Sequence, residues 1–266
     1  MAKVLGETGR YVTDQSIKKY QKQFMTLFMA FGVLAFALGF SLGSRYRPYA
    51  IIPGVLFIGI LPFAMKKLDR IVDELERERL NYRKGATGEA IVGRILDNFP
   101  DDFYVIHDLS TPYGNLDHVV VGSTGAYVID TKNWKGVISA DGNRELLLNG
   151  KPTDKQEIKL LALRIMGIKE KLKVLSALDP YVQGVFAFPS AHVEAKWGAT
   201  GAVHCVRDEQ LYDYIVENKK SKKLSKKETE SISQAFLALA RMDKDFGSNM
   251  NSEKAGTILT NESGKG

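Results

Sequence analysis

Hydrophobic and polar positions divide the chain into contrasting stretches. Residues 24–43, FMTLFMAFGVLAFALGFSLG, carry no charge, and the uncharged stretch extends from Gln23 through Ser44. A helix of that length, rising ~1.5 Å per residue, spans roughly 30 Å, the hydrocarbon thickness of a bilayer. The next apolar run, 49–65, is shorter and holds Pro53 and Pro62, which membrane helices tolerate because neighbours re-satisfy the backbone. Only Ser44–Pro48 separate the two runs, so the pattern predicts a transmembrane helical hairpin over 24–65. A cleaved signal peptide would place its apolar region nearer the start. Buried core helices fit the length and lack of charge of the first run less well.

Lys and Arg set the orientation. Arg10, Lys18, Lys19 and Lys22 precede the hairpin, and Lys66, Lys67, Arg70, Arg77 and Arg79 follow it. The loop holds only Arg45 and Arg47. Both termini are therefore expected in the cytoplasm, with the chain a multi-pass protein of the plasma (inner) membrane and the lipid bilayer as a partner. Residues 66–84 then form a charged helical stalk, with Leu68, Val72, Leu75 and Tyr82 near heptad spacing. Hairpin and stalk together would allow a homo-oligomer.

Gly85-Ala86-Thr87-Gly88 is expected to break the stalk. A helix to about Asn98 follows, with Val92, Ile95, Leu96 and Phe99 as its stripe. β-like runs come next, at Tyr104–His107, Leu116–Gly122, Ala126–Lys132, Val137–Ala140 and Glu145–Leu148. A long helix over about Thr153–Ala177 places Ile158, Leu161, Ile165, Ile168 and Leu172 on one side. Strands at Gly184–Phe188 and Ala202–Val206 and a helix at Asp208–Glu217 complete a domain over 85–217. That order predicts a mixed α/β fold and not a regular βαβ repeat. Residues 218–227 hold six lysines and no acid, which reads best as a solvated linker. Ser225 is placed to cap a last helix to about Asp245, and the polar tail 247–266 is expected to be disordered.

Composition changes this picture little. The 266 residues are 44% hydrophobic and 26% charged, and the single cysteine excludes a disulfide-stapled fold or a Cys-rich zinc site. The formal charge of +6 comes wholly from residues 1–83, because 84–266 carries 24 basic and 24 acidic residues. A pI near 9.1 is thus no sign of a nucleic-acid surface on the domain.

The informative stretch is Asn115–Asn133, NLDHVVVGSTGAYVIDTKN. Side chains alternate along a strand, so Asp117 shares a face with Val119 and Val121. Asp130 and Lys132 share one with Ala126 and Val128. Gly122-Ser123-Thr124-Gly125 signals a hairpin turn, and an even loop pairs positions that sum to 247. Asp117 then faces Asp130. Two carboxylates so placed repel and require a proton or a cation. Hard oxygen ligands suit Mg²⁺ or Mn²⁺, and Lys132 would add a compact positive charge beside it. Glu89 continues the inward stripe of its helix, and Gln156 opens the long helix near the same place. His192, His204 and Cys205 match no zinc-ligand spacing. His107 and His118 read as single packing histidines, and Gly198–Gly201 is too loose for a phosphate loop.

Three segments carry a family resemblance: Gly85-Ala86-Thr87-Gly88-Glu89, Gly114-Asn115-Leu116-Asp117-His118-Val119-Val120-Val121-Gly122 and Gly125-Ala126-Tyr127-Val128-Ile129-Asp130-Thr131-Lys132-Asn133, with Pro152 and Gln156 beyond. They resemble the NERD (nuclease-related) domain of the PD-(D/E)XK nuclease superfamily, most strongly over 85–156. The resemblance implies a restriction-endonuclease-like mixed sheet flanked by helices. It makes Asp117 the first acid, Asp130 the second, Lys132 the lysine, Glu89 the helix acid and Gln156 the trailing glutamine. Leu116 stands where the superfamily name has Pro, and Asp130 where the family more often has Glu. Asp117, Asp130, the Thr131 carbonyl and Glu89 would hold the metal. The implied activity is metal-dependent phosphodiester hydrolysis, with DNA favoured over RNA as the nucleic-acid partner. The rival readings are an inactive membrane-tethered nucleic-acid-binding or scaffolding module, and a membrane-assembled sensor.

Overall fold

The structure, a computed structural model, describes residues 1–5, isolated positions between 21 and 39, and residues 51–195, 203–217 and 223–242. The chain divides into two compact units, Tyr11–Lys84 and Met1–Arg10 with Gly85–Gly266. Among the described residues no helix is long and apolar enough to cross a membrane. Nine of the twenty residues of the first apolar run and all of the loop after it lie outside the described residues, so the hairpin over 24–65 is not shown. Also outside them are Gly198–Gly201, the lysines up to position 222 and the tail from 247.

One helix, α1 (Ile51–Asp97), spans the second apolar run, the stalk and the first helix of the domain. The break expected at Gly85–Gly88 is therefore absent. An interior glycine weakens a helix by about 1 kcal/mol, and here the reason for one of them is proximity. A Cβ on Gly88 would sit 2.6 Å from the Cβ of Asn133. Gly88 lets α1 approach the chain just beyond Lys132, which a larger residue would block. On the stalk, Val72 is 47% exposed, so one of the expected heptad positions is uncovered.

The domain is built on a six-stranded mixed sheet of order β1-β2-β3-β4-β8-β10. Its strands are β1 (Lys3–Leu5), β2 (Tyr104–Thr111), β3 (Gly114–Gly122), β4 (Gly125–Thr131), β8 (Val182–Phe188) and β10 (Val203–Arg207). A second sheet, β7-β6-β5-β9, gathers β5 (Gly136–Ala140), β6 (Leu146–Leu148), β7 (Lys151–Pro152) and β9 (Ala191–Val193). β2, β3 and β4 form an antiparallel meander, whereas β4 pairs parallel with β8 and β8 with β10. A parallel neighbour needs a crossover, and α2 (Glu157–Ser176) lies in the connection between β4 and β8. β8 is buried at every residue, as a strand covered on both faces must be.

Each face of the large sheet has its own core. Val119, Val121, Ala126, Val128 and Phe186 pack with the α2 stripe Ile158, Leu161, Ile165, Ile168 and Leu172, and with Phe236 and Leu239 of α4 (226–242). Val105, Val120, Tyr127, Ile129 and Val185 pack with Val92 and Leu96 of α1 and with Leu211 and Ile215 of α3 (Asp208–Val216). The mixed α/β fold that the element order predicts is thus present, as the mixed sheet flanked by helices that the resemblance implies. β1 is an addition: its Lys3 N–H donates to the Phe103 carbonyl at 2.9 Å and its Lys3 Nζ to the Tyr104 hydroxyl. At the start of α4, Ser225 and Glu228 form a reciprocal capping box.

Candidate active site

β3 and β4 turn through Ser123-Thr124, and their register is the one the loop arithmetic gives: Val121 faces Ala126, Val119 faces Val128 and His118 faces Ile129. The ladder stops there, one step short of the Asp117–Asp130 level. Along β4, the Lys132 N–H donates to the Ala187 carbonyl on the β8 side at 2.9 Å. Backbone directions alternate, so the Thr131 N–H points toward β3. It donates to Asp117 Oδ2 at 2.8 Å. The side chain of Asp117 thus replaces the missing backbone partner and sits between two strands that have begun to part.

The same level is broken on the other side. β2 and β3 pair as His107–His118 and Leu109–Leu116, so the register skips the Asp108–Asp117 level between them. Asp108 has φ 55°, a left-handed conformation that aspartate adopts more readily than most residues. Ile106 and Leu109 consequently face the same core, as do Leu116 and Val119. Asp108, Asp117 and Asp130 therefore occupy one level of three adjacent strands. The sequence reading missed Asp108. Applying the pairing arithmetic to the two-residue loop Pro112-Tyr113 would have found it, since 108 and 117 sum to 225, as do all the pairs of β2 with β3.

Glu89 arrives from α1 and is 8% exposed. Its carboxyl is pushed up to about 7, first by burial and then by the charges of Asp108 and Asp130. Asp117 is held well above the usual carboxylate range by burial, then by Asp130 and Glu89, against the opposing pull of the Thr131 N–H and Lys132. Four acids thus sense one another. Lys132 is the compensating charge: its Nζ lies 2.9 Å from Asp130 Oδ1 and 3.2 Å from Glu157 Oε2. Burial works against the ammonium, but the two carboxylates outweigh it and raise its pKa.

Glu157 and Arg164, both on α2, were not anticipated. Arg164 Nη1 donates to the Asn115 carbonyl at 3.1 Å and lies 3.9 Å from Asp130 Oδ2. Asn115 in turn donates through Nδ2 to Asp108 Oδ1 at 2.8 Å. Two buried oxygens nearby, Asn115 Oδ1 and Thr131 Oγ1, have no hydrogen-bond partner. Gln156 stands exposed at the N-cap of α2 and makes no side-chain capping bond. The structure brings Glu89, Asp117, Asp130 and Lys132 together but does not fold Gln156 onto them.

The donor chemistry suits a hard cation, with carboxylates in excess and repelling one another. The arrangement is not a closed ligand set: among the described residues no three His, Cys, Asp or Glu are grouped to hold a metal. Lys132 holds Asp130 Oδ1 and the Thr131 N–H holds Asp117 Oδ2, so one oxygen of each aspartate is taken by the protein's own donors.

The other candidates resolve as structural. His107 and His118 are not single: their Nδ1 atoms lie 2.8 Å apart, and His107 Nε2 is 2.9 Å from Asp97 Oδ1. Burial pushes His118 down to about 3, so it packs as a neutral ring. His192 is exposed on β9, while His204 bonds the Tyr214 hydroxyl and Cys205 is buried beside it on β10. The lysine linker ends far from the acids, since the Leu224 N–H donates to the Ser123 carbonyl at the opposite tip of the β3–β4 hairpin.

Comparison with known proteins bears on the domain as a whole. An uncharacterized protein of Bacillus anthracis is 41% identical over 61 residues, which are 21% of this chain and 29% of that protein. The match thus spans under a third of that relative's length. No solved structure matches the chain. Residues 84–189, the stretch that carries every one of these acids and their basic partners, match the family model of the nuclease-related domain, NERD.

Proposed function

We propose that this protein is a metal-dependent nuclease that hydrolyses phosphodiester bonds of nucleic acid, DNA in preference to RNA. The observation that carries the reading is the level of acids on adjacent strands with Lys132 two residues beyond the last of them, within the stretch that matches a nuclease-related domain. Asp117, Asp130 and the Thr131 carbonyl, with Glu89 beside them, would hold Mg²⁺ or Mn²⁺. Bound there, the ion supplies polarisation of the scissile phosphate and a lowered pKa for water.

The chain's own groups do the rest. Lys132 keeps a compact positive charge next to Asp130, where negative charge grows on the non-bridging oxygens. Glu89, with its carboxyl near 7, is able to accept or release a proton at neutral pH. Gln156 belongs to the set through the family resemblance, and its exposed position at the head of α2 leaves it free to meet substrate. The domain takes the restriction-endonuclease-like form of the mixed sheet. The apolar runs 24–43 and 49–65 anchor it in the plasma membrane as a hairpin with both termini cytoplasmic, and the stalk offers a route to self-association.

Cleavage of DNA and RNA oligonucleotides by the purified full chain tests this. Hydrolysis with Mg²⁺, lost with chelator and in Asp130→Ala, is expected. Binding without cleavage, unchanged by either treatment, overturns it. That outcome would favour the inactive binding or scaffolding module, a reading supported by the lack of a closed three-acid ligand set among the described residues.

A further inference from the structure

The Asp130–Lys132 pair is bracketed by two residues of α2 that stand seven apart and so lie on one side of that helix. Glu157 meets the lysine, and Arg164 approaches the aspartate. The second contact is loose. A structural arginine–carboxylate pair closes at about 2.7–2.9 Å, commonly through two parallel bonds, whereas Arg164 Nη1 stops 3.9 Å from Asp130 Oδ2.

What fixes the guanidinium is the tip of the β2–β3 hairpin. Tyr113 packs against α2 where Gly167 leaves room, since a Cβ there would lie 2.5 Å from the ring. Gly114, at φ +104°, passes beneath Arg164, and a Cβ on it would come within 3.6 Å of Nη2. The one protein hydrogen bond of the guanidinium among the described residues is the bond to the Asn115 carbonyl. A guanidinium has five N–H donors, so most are unused, and the side chain is 30% exposed. A cation has thus been locked in place at the edge of the acids without being neutralised by them.

Five acids, Glu89, Asp108, Asp117, Asp130 and Glu157, surround two bases, Lys132 and Arg164. An anionic substrate entering such a site needs a cation outside the reacting centre, and the planar fork of arginine matches two phosphate oxygens. We propose that Arg164 binds the phosphate of the nucleic-acid backbone next to the scissile one and so sets the strand's register on the acids. This rests on the nuclease reading.

The test measures binding of a fluorescent DNA duplex to the full chain in chelator, from about 50 to 200 mM salt. Each neutralised phosphate contributes about 0.9 to the log–log salt slope. Arg164→Gln is expected to weaken binding and lower the slope by about that amount, and in Mg²⁺ to raise KM more than it lowers kcat. Arg164→Lys should keep the slope but bind more weakly, because the fork is gone. Lys159→Gln, on another side of α2, should leave the slope unchanged. If Arg164→Gln does not fold, Arg164→Lys carries the test through its affinity. Failure of the wild type to bind nucleic acid sinks the nuclease reading and this inference with it. Wild-type binding with both Arg164 variants indistinguishable from it overturns the inference alone. So does a fall in kcat with KM and slope unchanged, or an equal loss of slope in Lys159→Gln.

Discussion

Replacing Glu89 with glutamine gives the most direct measure of how much strain the acids store. In the folded chain the Glu89 carboxyl is pushed up to about 7 from an ordinary value of 4.5, because burial and the neighbouring acids disfavour its charge. The native state therefore holds this proton more tightly than the unfolded chain does. Stability from this group is complete below about pH 4.5, declines as pH rises toward 7, and stays at its lowest above that. Each pKa unit corresponds to about 1.36 kcal/mol, so the full shift sets a ceiling of roughly 3.4 kcal/mol. Part of the carboxylate's surroundings remains open to water, and screening reduces this to about 2 kcal/mol.

Glutamine is neutral at every pH and escapes the penalty. In the absence of divalent cations, Glu89→Gln should melt about 4–8 °C above the wild type at pH 8, if 1 kcal/mol corresponds to about 2–4 °C for a protein of this size. At pH 5 the two should nearly coincide. Any packing effect of the amide is common to both pH values, so the difference between the two shifts is the quantity to read. Thermal unfolding followed by circular dichroism, with chelator present, measures it. A shift that is equal at pH 5 and pH 8, or negative only at pH 8, would refute the claim that Glu89 is held among like charges.

Other substitutions probe the neighbours. Gly88→Ala should destabilise by about 1–3 kcal/mol despite alanine's better helix propensity, because its Cβ meets Asn133 at 2.6 Å. Gly85→Ala, with nothing within 4 Å, should stabilise by up to about 1 kcal/mol, and urea titration of the pair checks both signs. Lys132→Met should lower turnover about 10²- to 10³-fold in a cleavage assay. It should also destabilise the protein by about 3 kcal/mol at pH 8, since Asp130 and Glu157 lose their shared cation. A chain beginning at residue 84 lacks β1 and leaves the edge of β2 open. It should be less stable by about 2 kcal/mol, and light scattering should detect self-association through that edge.

What the sequence made legible follows from short-range geometry. The β3–β4 register is a consequence of a two-residue loop and strict alternation, so pairing could be computed from Gly122–Gly125 without tertiary knowledge. The α2 stripe from Ile158 to Leu172 was equally local, because five apolar residues at helical spacing have one solution. The residues that escaped are those placed by long-range packing. Glu157 and Arg164 reach the acids only because α2 packs on the sheet against β8 and β10. Nothing in their own neighbourhood distinguishes them from the other charges of that helix. Gly88 misled for a related reason: a glycine that permits close approach reads, in one dimension, like a glycine that ends a helix.

The break in the sheet and the clustering of charge have one cause. Three aspartates on adjacent strands at one level could not sit in a regular ladder, since like charges directly opposite are unfavourable. The backbone yields at that level on both sides of β3: the pairs 108–117 and 117–130 are missing, while their neighbours 107–118 and 118–129 are formed. Asp108 takes a left-handed conformation, and the Thr131 N–H turns to a side chain. Between β2 and β3 the ladder resumes at Leu109–Leu116, so that gap is confined to one residue pair, whereas between β3 and β4 the ladder ends at His118–Ile129. A local departure from good β-structure, held in place by a well-packed core on each face, is a configuration that persists only when its surroundings impose it. The physical case for a reaction centre at this level therefore rests on the conjunction of unmade ladder bonds, raised carboxyl pKa values and two cations of different freedom. Lys132 is bound between two acids, and Arg164 still has donors to offer.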